Sequence, residues 1–122
     1  MRPRSPRILD TSAIVALFAA HRPILDLLDD AERGLRNVLL PTAAIADAEH
    51  ELCVGPNGWE AVLLTPGLRS LPLVEHAAVE VGPWPGDLAT RHAVHEADAL
   101  HGAVVTRDPG RYAGHRVFLR VV

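Results

Sequence analysis

The stretch RILDTSAIVAL, residues 7–17, passes from a short apolar run to a helical one through a single carboxylate, Asp10. RILD reads as a buried strand, and TSAIVALFAA as a helix opened by a Thr/Ser cap. A carboxylate at such a junction serves as a turn residue, a helix cap, part of an export signal, or a metal ligand at the rim of a sheet. Which role applies depends on what the rest of the chain places beside it.

Outward from this stretch, HRPILDLLDDAERG has apolar residues at helical spacing, with Gly34 as the stop signal and Asp26, Asp29, Asp30 and Glu32 on a solvated face. NVLLP is a second apolar strand closed by Pro41, and TAAIADAEHEL a small-residue helix. GPNG breaks the chain, WEAVLL is a further helix, and RSLPLV a third strand. After the breaker VGPWPGD comes a long helical pattern, LATRHAVHEADALHG. AVVTRD is then a buried strand, PGRYAGH a loop and VFLRVV a last strand. Strands alternating with helices predict one α/β domain over residues 1–122, a mostly parallel sheet with helices on both faces.

Hydrophobic residues make up 48% of the 122, aromatics only 4%, so the core must be built from Ala, Val, Leu and Ile. The net charge of -3 argues against holding nucleic acid by bulk charge, but not against a nuclease whose acidic centre is neutralised by cations. The 12 basic residues are all arginine and gather towards the two ends: Arg2, Arg4 and Arg7, then Arg107, Arg111, Arg116 and Arg120. The lone Cys53 forms no intramolecular disulfide and reads as a small buried hydrophobe, which fits a reducing cytoplasm. No apolar run approaches the roughly 20 residues of a membrane span. MRPRSPR before AIVALFAA has the outline of an export signal, but Asp10, Thr11 and Ser12 interrupt the apolar stretch, so a cytoplasmic protein is expected.

Ligand sites in open parallel sheets lie beyond the C-terminal strand ends. Asp10 ends the first strand and Asp108 ends AVVTRD, so two acids far apart in sequence are expected to converge. Asp47 lies about a turn and a half into the helix after the second strand, and Asp87 opens the long helix as an N-cap. Glu51, one turn beyond Asp47, is the reserve candidate. Carboxylates around one cleft call for a hard cation; Mg²⁺ or Mn²⁺ suits an all-oxygen site and supports phosphodiester hydrolysis. His92, His95 and Glu96 have spacing that can bind zinc, but no third protein ligand is identifiable; His92 near the cleft is a weaker alternative as a phosphate contact. Trp84 reads as a plug at the rim before a base-stacking platform. P-loop, nucleophile-elbow and haloacid-dehalogenase patterns are absent.

ILDTSAIVAL, LLPTAAIADAEHEL and GAVVTRDPGRY resemble the signature blocks of PIN-domain proteins, especially VapC-like toxins, over nearly the whole chain. The resemblance implies a three-layer α/β/α domain and an acidic Mg²⁺ or Mn²⁺ site that cuts RNA. It also implies a toxin held inactive by a cognate antitoxin protein, and a tendency to form homodimers. Carried over, Asp10 and Asp108 match the first and last acids, Asp47 stands where relatives usually have Glu, and Thr106 supports the site within T-x-D. At the remaining acid, alignment on VVTRD lands on Thr90, with Asp87 nearly one turn earlier on roughly the same face. The stretch from Val74 to Gly86 reads as too short for the helix many relatives have there.

The resulting expectation is a divalent-metal-dependent endoribonuclease, the toxin of a toxin–antitoxin pair. Asp10, Asp47, Asp87 and Asp108 are its metal and catalytic residues, Thr106 supports them, and Arg107 and Arg111 contact phosphate. The rival expectation is a PIN-like binding or regulatory module without catalysis, suggested by Asp47 for Glu and by the displaced Asp87.

Overall fold

The computed structural model describes residues 4–122. Arg2, counted with the amino-terminal arginines, lies outside them, as does the start of the signal-like stretch. The chain forms β1 (Arg4–Leu9), α1 (Thr11–Phe18), α2 (Arg22–Glu32), β2 (Arg36–Pro41), α3 (Thr42–Leu52) and α4 (Gly55–Leu63). It continues with β3 (Leu68–Leu71), α5 (Glu75–Val81), α6 (Leu88–Ala99), β4 (Ala103–Thr106), a 3-10 turn (Pro109–Tyr112) and β5 (Leu119–Val121).

All five strands are parallel, in the order β3-β2-β1-β4-β5. The expected α/β/α arrangement is therefore present, with a sheet that is wholly rather than mostly parallel. Strands 1 and 4 carry continuous apolar runs because both faces are covered: Ile8, Leu9, Val104 and Val105 are all fully buried. Leu9, Val38, Leu40 and Val105 share one apolar cluster with Ala13, Ile14 and Leu17 of α1, Ile24 of α2, Ala44 of α3 and Trp59 of α4. Ile8, Leu39 and Val104 point the other way, against Ala93, Val94 and Ala97 of α6. Alternate strand residues thus feed two cores.

The chain leaves β1 towards β2 and β3, then returns across the sheet to β4 and β5. The reversal lies between β1 and β4, the switch point beyond whose C-terminal strand ends open parallel sheets generally bind ligands. Asp10 follows β1 and Asp108 follows β4, so the two acids flank this switch point.

Several boundaries differ from the sequence reading. Asp10 itself, not Thr11 or Ser12, caps α1, its Oδ1 accepting from the Ala13 N–H at 2.9 Å. GPNG forms the first turn of α4, where Pro56 needs no N–H partner. A helix does fit before Gly82: seven residues, Glu75–Val81, with Ala77 and Val81 buried. Cys53 is exposed and adopts a left-handed conformation at the end of α3 (φ 53°), which places its side chain outside the core. Among the described residues no single helix is long and apolar enough to cross a membrane. Helices α1 and α2 together have the length and composition, but meet at 91° and bury their apolar residues in the core.

Candidate active site

Asp10 is 4% exposed and held from three sides. Its Oδ1 accepts from Ser12 Oγ (2.7 Å) and the Ala13 N–H (2.9 Å); its Oδ2 accepts from Tyr112 Oη at 2.7 Å. A carboxylate offers about four lone-pair directions, so one remains on Oδ2. Tyr112 is 4% exposed; burial and then the Asp10 charge push its phenol well above its ordinary value, so it stays a donor.

Thr106 ends β4 fully buried. Its Oγ1 accepts from the Asp108 N–H (2.9 Å) and lies 3.3 Å from Ser12 Oγ, which also accepts from the Arg107 N–H at 2.9 Å. These bonds tie the turn after β4 to the start of α1, so the backbone carrying Asp108 is fixed relative to Asp10.

Asp87 caps α6, its Oδ1 accepting from the Thr90 N–H at 2.8 Å. The tight 82–87 segment that delivers it is braced by Arg91, whose Nη1 donates to the carbonyls of Val81 (3.2 Å) and Gly82 (3.0 Å). Thr90, the residue at the aligned position, is 3% exposed and lies in the core beneath the cap.

Asp87 and Asp108 meet through Arg111. Its Nε donates to Asp108 Oδ2 at 2.8 Å and its Nη1 to Asp87 Oδ2 at 2.9 Å. The fork holds two chain-distant carboxylates on one planar cation. Partial burial raises the Asp87 carboxyl, but the Thr90 hydrogen bonds and the Arg111 charge outweigh this and leave it below its ordinary value. Arg111 is raised in turn, first by the Asp108 hydrogen bond. Arg111 is thus engaged with the acids while remaining exposed, and Arg107 is exposed at the same rim.

Asp10, Asp87, Asp108, Thr106, Arg107 and Arg111 therefore occupy one edge of the sheet, and hydrogen bonds link them. Asp47 does not join that network: it stands exposed on α3, as does Glu51. Among the described residues no three acidic, histidine or cysteine side chains stand close enough, as placed, to hold one ion. The donor chemistry nevertheless suits Mg²⁺ or Mn²⁺. Asp10 keeps a lone pair, and the Asp87 and Asp108 side chains are 48% and 51% exposed beside an Arg111 that is 46% exposed and can swing into solvent.

Sequence reasoning did not find Tyr112, Ser12 or Arg91. DTS and GRY adjoin the two terminal acids, which was the available signal. His92 is not a cleft residue. It is fully buried between α6 and the start of α3, its Nδ1 accepting from the Ala43 N–H at 3.4 Å, while Nε2 lies 3.3 Å from Glu96 without hydrogen-bond geometry. Trp84 is half-buried against His95 and His115, ring centroids 6.0 and 6.3 Å away, consistent with a plug at the rim.

No known protein family matches the chain, and no curated protein resembles it to a significant degree.

Proposed function

We propose that the protein is a divalent-metal-dependent endoribonuclease of PIN-like type, the toxin component of a toxin–antitoxin pair that a cognate antitoxin protein restrains. The observation that carries the reading is the gathering of Asp10, Asp87 and Asp108 at the β1/β4 switch point, from three separate parts of the chain. Asp10, Asp87 and Asp108 would hold Mg²⁺ or Mn²⁺, with Asp47 reaching it through water. The ion supplies Lewis-acid activation of the phosphodiester and of the attacking water. Tyr112 and Ser12 fix the Asp10 carboxylate, and Thr106 fixes the Asp108 backbone, so two of the acids are preorganised before substrate arrives. Arg107 is the exposed cation at the rim for the substrate phosphate.

The second reading, a PIN-like binding module without catalysis, draws on the Arg111 fork, which already pairs Asp87 and Asp108 with one shared cation. One assay separates the two. Purified wild type and Asp108→Asn, a half-exposed position, are incubated with a mixed RNA pool and Mn²⁺, then with EDTA. Metal-dependent cutting by wild type alone is the expected result. No cutting, or equal cutting by both proteins, removes the nuclease reading.

A further inference from the structure

The arginines do not all serve the acid rim. One extra residue in β1 between Arg4 and Arg7 shifts its register against β2, so Arg4 pairs with Arg36 and Arg7 with Val38. Such a bulge re-aims side chains, and it puts Arg4 and Arg7 on the same face. Arg36 and Val38 share that face by strand alternation. On the other side Leu9 pairs with Val105, and Val105 with Arg120, so Arg120 lies on it as well. Four arginines from three strands therefore occupy one face, with Arg7 roughly 10 Å along β1 from Asp10.

This group is short of negative charge. Arg4 reaches Asp30 at 3.7 Å; among the described residues Arg7, Arg36 and Arg120 form no ion pair. Residues 1–3, Met-Arg-Pro, bring no carboxylate side chain. Arg7 is 8% exposed, and among the described residues its Nη1 donates only to Ser5 Oγ (2.9 Å) and the Ser5 carbonyl (3.5 Å). Arg36 Nε is buried and has no hydrogen-bond partner among the described residues. Burial, then Arg36 and Arg120, weakens proton binding at Arg7; burial, then Arg4, does the same at Arg36, with only Asp30 opposing. Buried charge without a partner is costly, and four guanidinium groups facing one carboxylate leave a strong local excess on a chain of net charge -3.

We infer that Arg4, Arg36 and Arg120, reinforced from beneath by Arg7, form a binding site for the phosphodiester backbone of single-stranded RNA. Guanidinium forks match phosphate oxygens, and a backbone threaded past several cations needs no sequence readout. Arg4, Arg7 and Arg36 lie towards the starts of β1 and β2, at the opposite end of the strands from the acids, and Arg120 of β5 lies nearer to them. The group thus adds a point of attraction to that of Arg107 at the rim. It deepens the ribonuclease reading by supplying a second contact for its substrate, but its test does not depend on cleavage.

The test is fluorescence anisotropy of a labelled 12-nucleotide mixed-sequence RNA in EDTA at low salt. Wild type is compared with the surface double variant Arg4→Gln/Arg120→Gln and with Asp108→Asn. The double variant is expected to bind about tenfold more weakly, and its salt slope to fall by about 1.4, near 0.7 for each lost phosphate contact. Asp108→Asn is expected to bind at least as well as wild type. Binding by the double variant equal to wild type overturns the site. So does wild type that ignores RNA but binds polyglutamate, which would make the partner an acidic protein segment. Arginine-dependent binding together with absent metal-dependent cutting would sink the nuclease reading and leave this site standing.

Discussion

Tyr112 Oη donates to Asp10 Oδ2 at 2.7 Å across 102 residues of sequence, closing the 3-10 turn after β4 onto the end of β1. Both groups are buried, so the bond is a charge-assisted one shielded from water. Tyr112→Phe is expected to cost about 1.5–3 kcal/mol, the range for a hydrogen bond to a charged group, measured by urea unfolding. Asp10→Ala should cost more, because it also removes the α1 cap and leaves the Tyr112 and Ser12 hydroxyls without their acceptor. If Tyr112→Phe unfolds at the wild-type urea midpoint, the bond is not formed in solution.

Arg111 stands between the two acids that the proposed metal site needs, so the guanidinium and a divalent ion compete. Arg111→Gln is expected to bind Mn²⁺ about tenfold more tightly than wild type, as removing a unit charge a few ångströms from a divalent ion implies. Electron paramagnetic resonance of free Mn²⁺ gives the affinity directly. Weaker binding in the variant would make Arg111 an organiser of the acids, and no binding by either protein would count against the metal.

His92 makes stability depend on pH. Burial, partly offset by Glu96, lowers its proton affinity below the ordinary value of 6.5. The unfolded chain therefore takes up the proton first as pH falls. Stability is full above pH 6.5 and declines below it, by at most about 1.4 kcal/mol per pH unit, until the folded protein also protonates. His92→Leu should flatten the difference in thermal midpoint between pH 7.5 and 5.5; an unchanged difference would assign it to other groups.

Gly102 turns the chain from α6 into β4. A Cβ there would sit 2.7 Å from both the Pro6 carbonyl oxygen and Ile8 Cδ1. The carbonyl belongs to strand backbone and cannot rotate away, so Gly102→Ala should destabilise by about 1–3 kcal/mol in chemical denaturation. A loss below 0.5 kcal/mol, about the scatter for neutral surface changes, would mean that β1 gives way.

The amino-acid sequence alone determined the layered α/β plan. Continuous apolar runs such as AVVT and NVLLP specify strands buried on both faces, and helical patterns between them demand parallel crossovers. It also placed Asp10, Asp87 and Asp108 at element ends, because caps and strand termini have local signatures. It did not reveal the short helix Glu75–Val81, whose few turns between proline-containing segments carry little periodicity. The pairings were decided by tertiary structure. Nothing local in GRY says that Arg111 will bridge Asp87 and Asp108, or that Tyr112 will reach Asp10; those contacts exist because β4 returns beside β1. The four-arginine face is likewise set by strand order and a one-residue register shift, and register is fixed between strands, not within them.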